Sequence, residues 1–385
     1  MTRTIGSIDE LRAALDGSVI VPGDPGYDEA RTLWNVDVER RPSVIARCAS
    51  ASDVAAALRF AQEAGLEVAV RGGGHSAYGA SSCDDGLMIH LGGLNQVTVD
   101  PVARRARSGG GATLADVDAA TQEHGLAVPL GGISHTGVGG LTLGGGFGYL
   151  THMLGLSIDN LESAEVVLAD GRVVRASAAE QPDLFWALRG GGGNFGVVTE
   201  FEFLLHPVGP IVHMSMFFWG LEQAAAALRL ARDTCNGLPR NASGVIPCLN
   251  APPAPFVPER YHFLPGVALT IVGFGSAEEH AALIAPVREA LPPLFELVTS
   301  MPYTALQQMI NDFGPFGRHY YSKGLFLDDL TDDAIDVLAE YLPGKCSPMT
   351  LLPIMATGGL FTRSATTTPP SPGRARPALT WVWMR

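Results

Sequence analysis

Apolar and polar positions alternate along this chain in two rhythms, one of helical period and one of strand period. Over 50–64 (SASDVAAALRFAQEA) the apolar residues recur at helical spacing, with Ser50 or Ser52 placed to cap the start and Gly65 to stop it. Residues 66–70 are a short apolar run that predicts a buried strand, and RGGGHS follows it directly at 71–76. Further strands are predicted at 86–91 and 96–100, and a second helix at 114–124, ended by Gly125. Strands at 163–169 and 172–176 flank Asp170-Gly171, a strong hairpin corner. A short helix at 182–188 and a strand at 197–205 complete this part of the chain. Helices and hairpins interleave, so an α+β fold with mixed sheets fits better than a doubly wound parallel sheet.

The pattern restarts after Pro207-Val208-Gly209-Pro210. Strands are expected at 213–219, 266–275 and 320–327, and helices at 222–236, 276–290, 303–311 and 332–342. This predicts a first domain over 1–208, with its core at about 38–208. A second α+β domain with one main sheet is expected over 209–359. No internal repeat is detected.

Composition narrows the function classes. The 385 residues suffice for two cores, and no run of 18 apolar residues offers a membrane span. A formal charge of −13 argues against a nucleic-acid partner, which would require a basic face. The five cysteines (Cys48, Cys83, Cys235, Cys248, Cys346) are scattered and show no CxxC spacing. They read as reduced thiols, and the N-terminus lacks a secretory apolar region, so a cytoplasmic protein without a metal site is expected.

Glycine changes the picture most. There are 46, about 12% against a background of about 7%, and many cluster at 72–74, 109–111, 131–148 and 190–196. In RGGGHSAYG at 71–79, Gly72, Gly73 and Gly74 let the backbone approach a ligand closely and aim several N–H groups at one anion. Arg71 and Ser76 add a charge and a hydroxyl, and a diphosphate is the natural guest. A tight interstrand turn is the plainer alternative. Residues 72–77 and 191–196 also match the dinucleotide-binding hexapeptide. Neither lies between a strand and the start of a helix, so no NAD(P) site is expected. The stretch GGISHTGVGGLTLGGGFG at 131–148 alternates glycine with Val138, Leu141, Leu143 and Phe147. That suggests backbone packed on a flat, partly apolar surface such as an isoalloxazine ring, with close chain crossing as the alternative.

Taken together, RGGGHS at 71–76, TGVGGLTLGGGFG at 136–148, GLSIDNL at 155–161, ADG at 169–171 and DLFWALRGGGGNFGVVT at 183–199 resemble the FAD-binding domain of the vanillyl-alcohol oxidase superfamily. More narrowly, they resemble the berberine bridge enzyme-like oxidases, from about Trp34 to Pro353. Weaker matches lie at 301–312 and 318–330. The resemblance implies a PCMH-type FAD-binding domain, a second domain for substrate, and FAD as cofactor. By position it implies that Arg71, Gly72, Gly73, Gly74, His75 and Ser76 wrap the pyrophosphate, with Gly79 a further cofactor-binding residue. Gly132, Thr136, Gly137, Gly140, Gly146, Phe147 and Gly148 would line the isoalloxazine and ribityl chain, and the Val198 backbone would reach the adenine side. It also implies that His75 is linked to the flavin 8α-methyl. Many members add a second link from a cysteine within 131–140. None occurs here, Ile133 taking that position, so attachment at His75 alone is expected. A nucleophilic imidazole nitrogen suits such a link. A neutral hydrogen-bonding histidine beside the pyrophosphate is the alternative.

The implied activity is hydride transfer from a small alcohol or amine to flavin N5, with O2 as the usual reoxidant. Tyr320 and Tyr321 are candidates for the substrate side. On a strand adjacent residues point to opposite faces, so only one of them would face the flavin. Family members continue past this length and carry a tyrosine base in their last segment. Here the family-like sequence ends near 355–359. From 360 onward the chain is rich in Thr, Pro and Arg, shows neither period, and reads as an out-of-frame or disordered tail. The expectation is an FAD-linked oxidase, with a non-catalytic flavin-binding protein as the alternative.

Overall fold

The computed structural model describes residues 7–345 and 347–356, and the backbone of Ala378–Trp383. It forms two compact units. The first holds the described residues up to Gly148 together with Leu156–Pro207 and Gln307–Tyr320; the second holds Tyr149–Gly155, Val208–Leu306 and the described residues from Tyr321 onward. The expected division at 208/209 therefore differs at two exchanged segments, the longer being Gln307–Tyr320, which packs with the first unit.

The first unit is built on two larger sheets and a two-stranded ladder of Leu126–Ala127 with His206–Pro207. A four-stranded mixed sheet runs in the order Ser18–Ile20, Val44–Arg47, Leu87–His90, Val68–Arg71, and its last two pairings are parallel. The helix Ala51–Ala64 covers it, capped by the Ser50 hydroxyl and stopped at Gly65 with φ 65°. Val54, Ala57, Phe60 and Ala61 lie on its buried face with Leu87 and Ile89 of the sheet. Helical spacing thus becomes one apolar stripe. A five-stranded antiparallel sheet runs Val97–Asp100, Arg105–Gly109, Val197–Leu204, Leu161–Val167, Val173–Ser177. Phe201 and Phe203 fill its core with Leu114, Val117 and Val138.

The second unit is one seven-stranded antiparallel sheet. Its order is Phe295–Pro302, Ile211–Gly220, Pro265–Gly273, Ala242–Asn250, Leu352–Met355, Ala378–Trp383, Ser322–Leu327. Helices Ala224–Asn236, Ala277–Ala290 and Asp332–Tyr341 contribute to its main core, around Phe217, Trp219 and Leu269. Several elements differ from expectation, among them the unexpected strands Ala242–Asn250 and Phe295–Pro302. The strand expected at 320–327 starts at Ser322, so Tyr320 and Tyr321 precede it and need not point to opposite faces. A strand forms at Ala378–Trp383, where the sequence shows no period, pairing with Ser322–Leu327 and Leu352–Met355. Within 131–148, read as loop, Val138–Leu143 is a short helix. Glycines hide it, but Val138 and Thr142 are four apart and both buried.

Cys48, Cys83, Cys235 and Cys248 are free and buried. Burial pushes their thiols up, Cys83 to about 11 and the others to about 12. Cys346 lies outside the described residues. Among the described residues no helix is long and apolar enough to cross a membrane.

Candidate flavin site

The strand Val68–Arg71 ends in parallel register with His90 and delivers the loop at 71–79. Why that loop needs glycine is visible in what a Cβ would strike. On Gly73 it would stand 2.3 Å from the Gly137 nitrogen, and on Gly137 it would stand 2.3 Å from the Gly73 nitrogen, so the two loops touch backbone to backbone. On Gly72 it would stand 3.2 Å from the Gly110 carbonyl oxygen. Gly74 and Gly79 have φ of 71° and 85°, the left-handed region that glycine enters without strain. The backbone N–H groups of Gly73, Gly74, His75 and Ser76 donate to no acceptor among the described residues. Consecutive free amides of this kind make an anion cradle, and a pyrophosphate fits it.

Arg71 does something other than reach outward. Its guanidinium donates to the Ala30 carbonyl, and its Nε is buried without a partner beside Gly74. Burial first, and then the charge of Arg47, lowers its pKa. The Ser76 hydroxyl accepts from the Ala80 amide at 3.0 Å and so stabilises the far end of the loop.

His75 sits in an aromatic box. Its ring stacks on Trp34 with centroids 5.0 Å apart and meets Phe316 edge-on at 5.2 Å. Its Nε2 is 2.7 Å from Nδ1 of His135. Burial, then the neighbouring His135, pushes the His75 pKa down to about 3, so the ring is neutral. His135 is lowered as well, by burial, while a hydrogen bond to the Asn311 backbone works the other way.

The second glycine segment presents a surface of mixed character. Gly137 caps the helix Val138–Leu143, and the Thr136 carbonyl accepts from Leu114 at 2.9 Å. Gly140 is exposed, and a Cβ there would meet open space. Gly146 (φ 72°) and Gly148 are packed tight: a Cβ on Gly148 would stand 1.9 Å from the Leu130 oxygen. Gly132 and Phe147 are half-buried. Val198 is buried in the five-stranded sheet, paired with Val166, and its carbonyl crowds Gly110.

The segment Gln307–Tyr320 straps this site, which the sequence did not reveal. Trp34 Nε1 donates to the Gly314 carbonyl at 2.7 Å, and Tyr320 stacks on Trp34 with centroids 3.6 Å apart. Asn311 exchanges two hydrogen bonds with Ser134, at 2.9 and 2.8 Å. Gln307 donates to Asp118 and to the Gly131 carbonyl, both at 3.2 Å. Asp118 is 2% exposed, and desolvation pushes its carboxyl up to about 7. The only sequence signal for these partners was the weak family match at 301–312. Of the tyrosine candidates, Tyr320 donates its hydroxyl to the Pro315 carbonyl at 2.5 Å, and Tyr321 is 56% exposed.

Comparison with known proteins agrees with a flavin assignment. The family model described as FAD binding domain matches residues 42–177. An FAD-linked oxidoreductase of Dictyostelium discoideum is 31% identical over 86% of this chain and 71% of its own length. (R)-6-hydroxynicotine oxidase of Paenarthrobacter nicotinovorans is 44% identical over 50% of this chain, a match spanning 42% of that relative. The solved glucooligosaccharide oxidase of Acremonium strictum, described as carrying 6-S-cysteinyl, 8α-N1-histidyl FAD, superposes with a TM-score of 0.82 at 27% identity. It covers 98% of this chain and 81% of its own. Fold, cradle and relatives define an FAD-dependent oxidoreductase of the oxidase class. The chain belongs to the FAD-linked oxidoreductase family.

Proposed function

We propose that this cytoplasmic protein oxidises a small organic substrate bearing an alcohol or an amine, with FAD attached by one bond to His75 and O2 as the final acceptor. Bound FAD would supply the hydride acceptor at N5 and pass its electrons to O2. The observation that carries the reading is the pairing of four free amides at Gly73–Ser76 with a neutral imidazole on the same loop. The amides would bind the diphosphate. Gly140, where a Cβ would meet open space, leaves backbone without a side chain where a planar ring would lie. Ile133, in place of a cysteine, leaves His75 as the sole point of attachment.

Relatives named for hydroxynicotine and for glucooligosaccharide support an amine or an alcohol as the reacting group. Because Tyr320 commits its hydroxyl to Pro315, Tyr321 is the remaining tyrosine candidate for the substrate proton. The experiment is acid precipitation of purified protein, followed by a substrate panel scored for flavin bleaching and oxygen uptake. Yellow colour should stay with the pellet and leave it in His75→Ala. Free FAD in the wild-type supernatant would refute the covalent link, and rapid anaerobic bleaching by NADH would refute the absence of a nicotinamide site.

A further inference from the structure

The seven-stranded sheet of the second unit has two edges, and they are finished differently. At one edge, Phe295–Pro302 ends in a proline, Glu296 is tied to Arg288 at 2.7 Å, and Ser300 is bonded to His213 at 2.8 Å. An edge ending in proline and carrying engaged polar side chains resists pairing with a further strand. At the other edge, Ser322–Leu327 pairs with Ala378–Trp383 on one side only. No backbone hydrogen bond reaches its far side among the described residues. Lys323, Gly324, Leu325 and Phe326 are all exposed, Leu325 at 48% and Phe326 at 59%. An open edge with large apolar side chains is a template for one more strand.

We propose that Ser322–Leu327 is a self-recognition edge, pairing antiparallel with the same strand of a second copy of this chain about a two-fold axis at Phe326. A two-fold axis perpendicular to the sheet keeps each face continuous, so residues of equal parity stand opposite one another. With the axis at Phe326, its ring meets Phe326 of the other copy, Leu325 meets Leu327, and Lys323 meets Asp329. Leu327 already packs on the helix-covered core of its own sheet, so Leu325 of the second copy extends that core. Lys323 and Asp329 are exposed, and neither has an ion-pair partner among the described residues; Lys323 only leans on the Tyr321 ring at 5.6 Å. Other registers waste the charge. An axis at Leu325 sets Lys323 opposite Leu327, and an axis at Gly324 sets it opposite Leu325. A lone lysine on an edge ordinarily repels a second copy. Here one register turns it into two attractions, and the same register places aromatic against aromatic. Because both copies use the same edge, the contact closes at two and does not propagate.

The test is sedimentation velocity of the full-length protein over about 1–100 μM, with circular dichroism to check that each variant is folded. Wild type should pass from monomer to dimer across this range, with no larger species. Phe326→Lys sets two ammonium groups face to face at the axis and should weaken dimerisation by at least about 100-fold. Lys323→Asp and Asp329→Lys each put like charges opposite one another twice, and each should weaken it by about 10-fold. Combining the two reverses both charges and should bring dimerisation back to within about 3-fold of wild type. A misfolded single variant would not regain dimers on a second substitution, so this recovery separates pairing from folding. Val298→Lys, on the opposite edge, should leave the dimer unchanged. The proposal is overturned by a wild type that stays monomeric at the highest concentration or forms species larger than a dimer. It is equally overturned by a double variant as weak as the singles, or by Val298→Lys matching the damage of Phe326→Lys.

Discussion

The loop at 71–79 and the strap Gln307–Tyr320 both belong to the flavin-type unit, yet they depend on the sequence in opposite ways. The loop acts through its backbone. Its glycines sit where a Cβ would strike another chain segment or where φ is positive, and its amides form the cradle. The strap acts through side chains and carbonyls that find partners far away in sequence: Gln307 with Asp118, Asn311 with Ser134, Gly314 with Trp34. A backbone requirement restricts residue type locally, and it therefore shows in the sequence. A long-range hydrogen bond restricts only a pair, and either half alone is an ordinary Asn or Gln.

If the strap matters as much as the loop, breaking each should cost comparable stability. The largest effect is expected at Asp118. A carboxyl whose pKa is raised in the fold is neutral there at pH values where it is already ionised in the unfolded chain. Stability is then lost as pH rises from about 4 towards the folded value of about 7. Asp118→Asn should remove that loss. Its stability relative to wild type should grow by on the order of 4 kcal/mol between pH 4 and pH 7 in urea titrations, and parallel curves would show that Asp118 is not titrating there. Next comes the loop itself. Gly73→Ala forces a methyl against the Gly137 backbone and should cost about 3 kcal/mol, with FAD affinity falling alongside. Unchanged FAD binding in a folded Gly73→Ala protein would break the claim that the two loops pack face to face.

Smaller effects separate the strap's individual contacts. Trp34→Phe leaves the Gly314 carbonyl unpaired and should lower stability by about 2 kcal/mol, measured as a shift in denaturation midpoint. Asn311→Ala removes both bonds to Ser134 and should cost about 1.5 kcal/mol.

Legibility followed the same divide elsewhere. The helix Ala51–Ala64 was readable from its stripe, its serine cap and Gly65, and Pro182–Leu188 from its leading proline. The hairpin at Asp170-Gly171 was readable from its corner, with Gly171 at φ 80°. The strand Ala242–Asn250 was not, since Pro247 and Gly244 interrupt its pattern and its pairing comes from strands on both sides. Val138–Leu143 was hidden for the opposite reason: two of its six residues are glycine, and packing, not propensity, makes it helical. Within the site, the cradle and His75 stood out from their motif. The contact of His135 with His75 did not, because nothing near it in sequence marks it. Its meaning comes from a ring 60 positions earlier.

The buried thiols bear on how such an enzyme ages. An oxidase working as proposed releases H2O2 at every turnover, in immediate reach of its own surface. Peroxide attacks thiolates, and attack climbs from sulfenic to irreversible sulfinic acid. Cys48, Cys83, Cys235 and Cys248 are screened twice: solvent does not reach them, and their raised pKa values leave almost no thiolate at neutral pH. While the fold holds, these four sulfurs are shielded from the catalyst's own product, and loss of activity in long reactions should follow unfolding, not thiol oxidation of the native state.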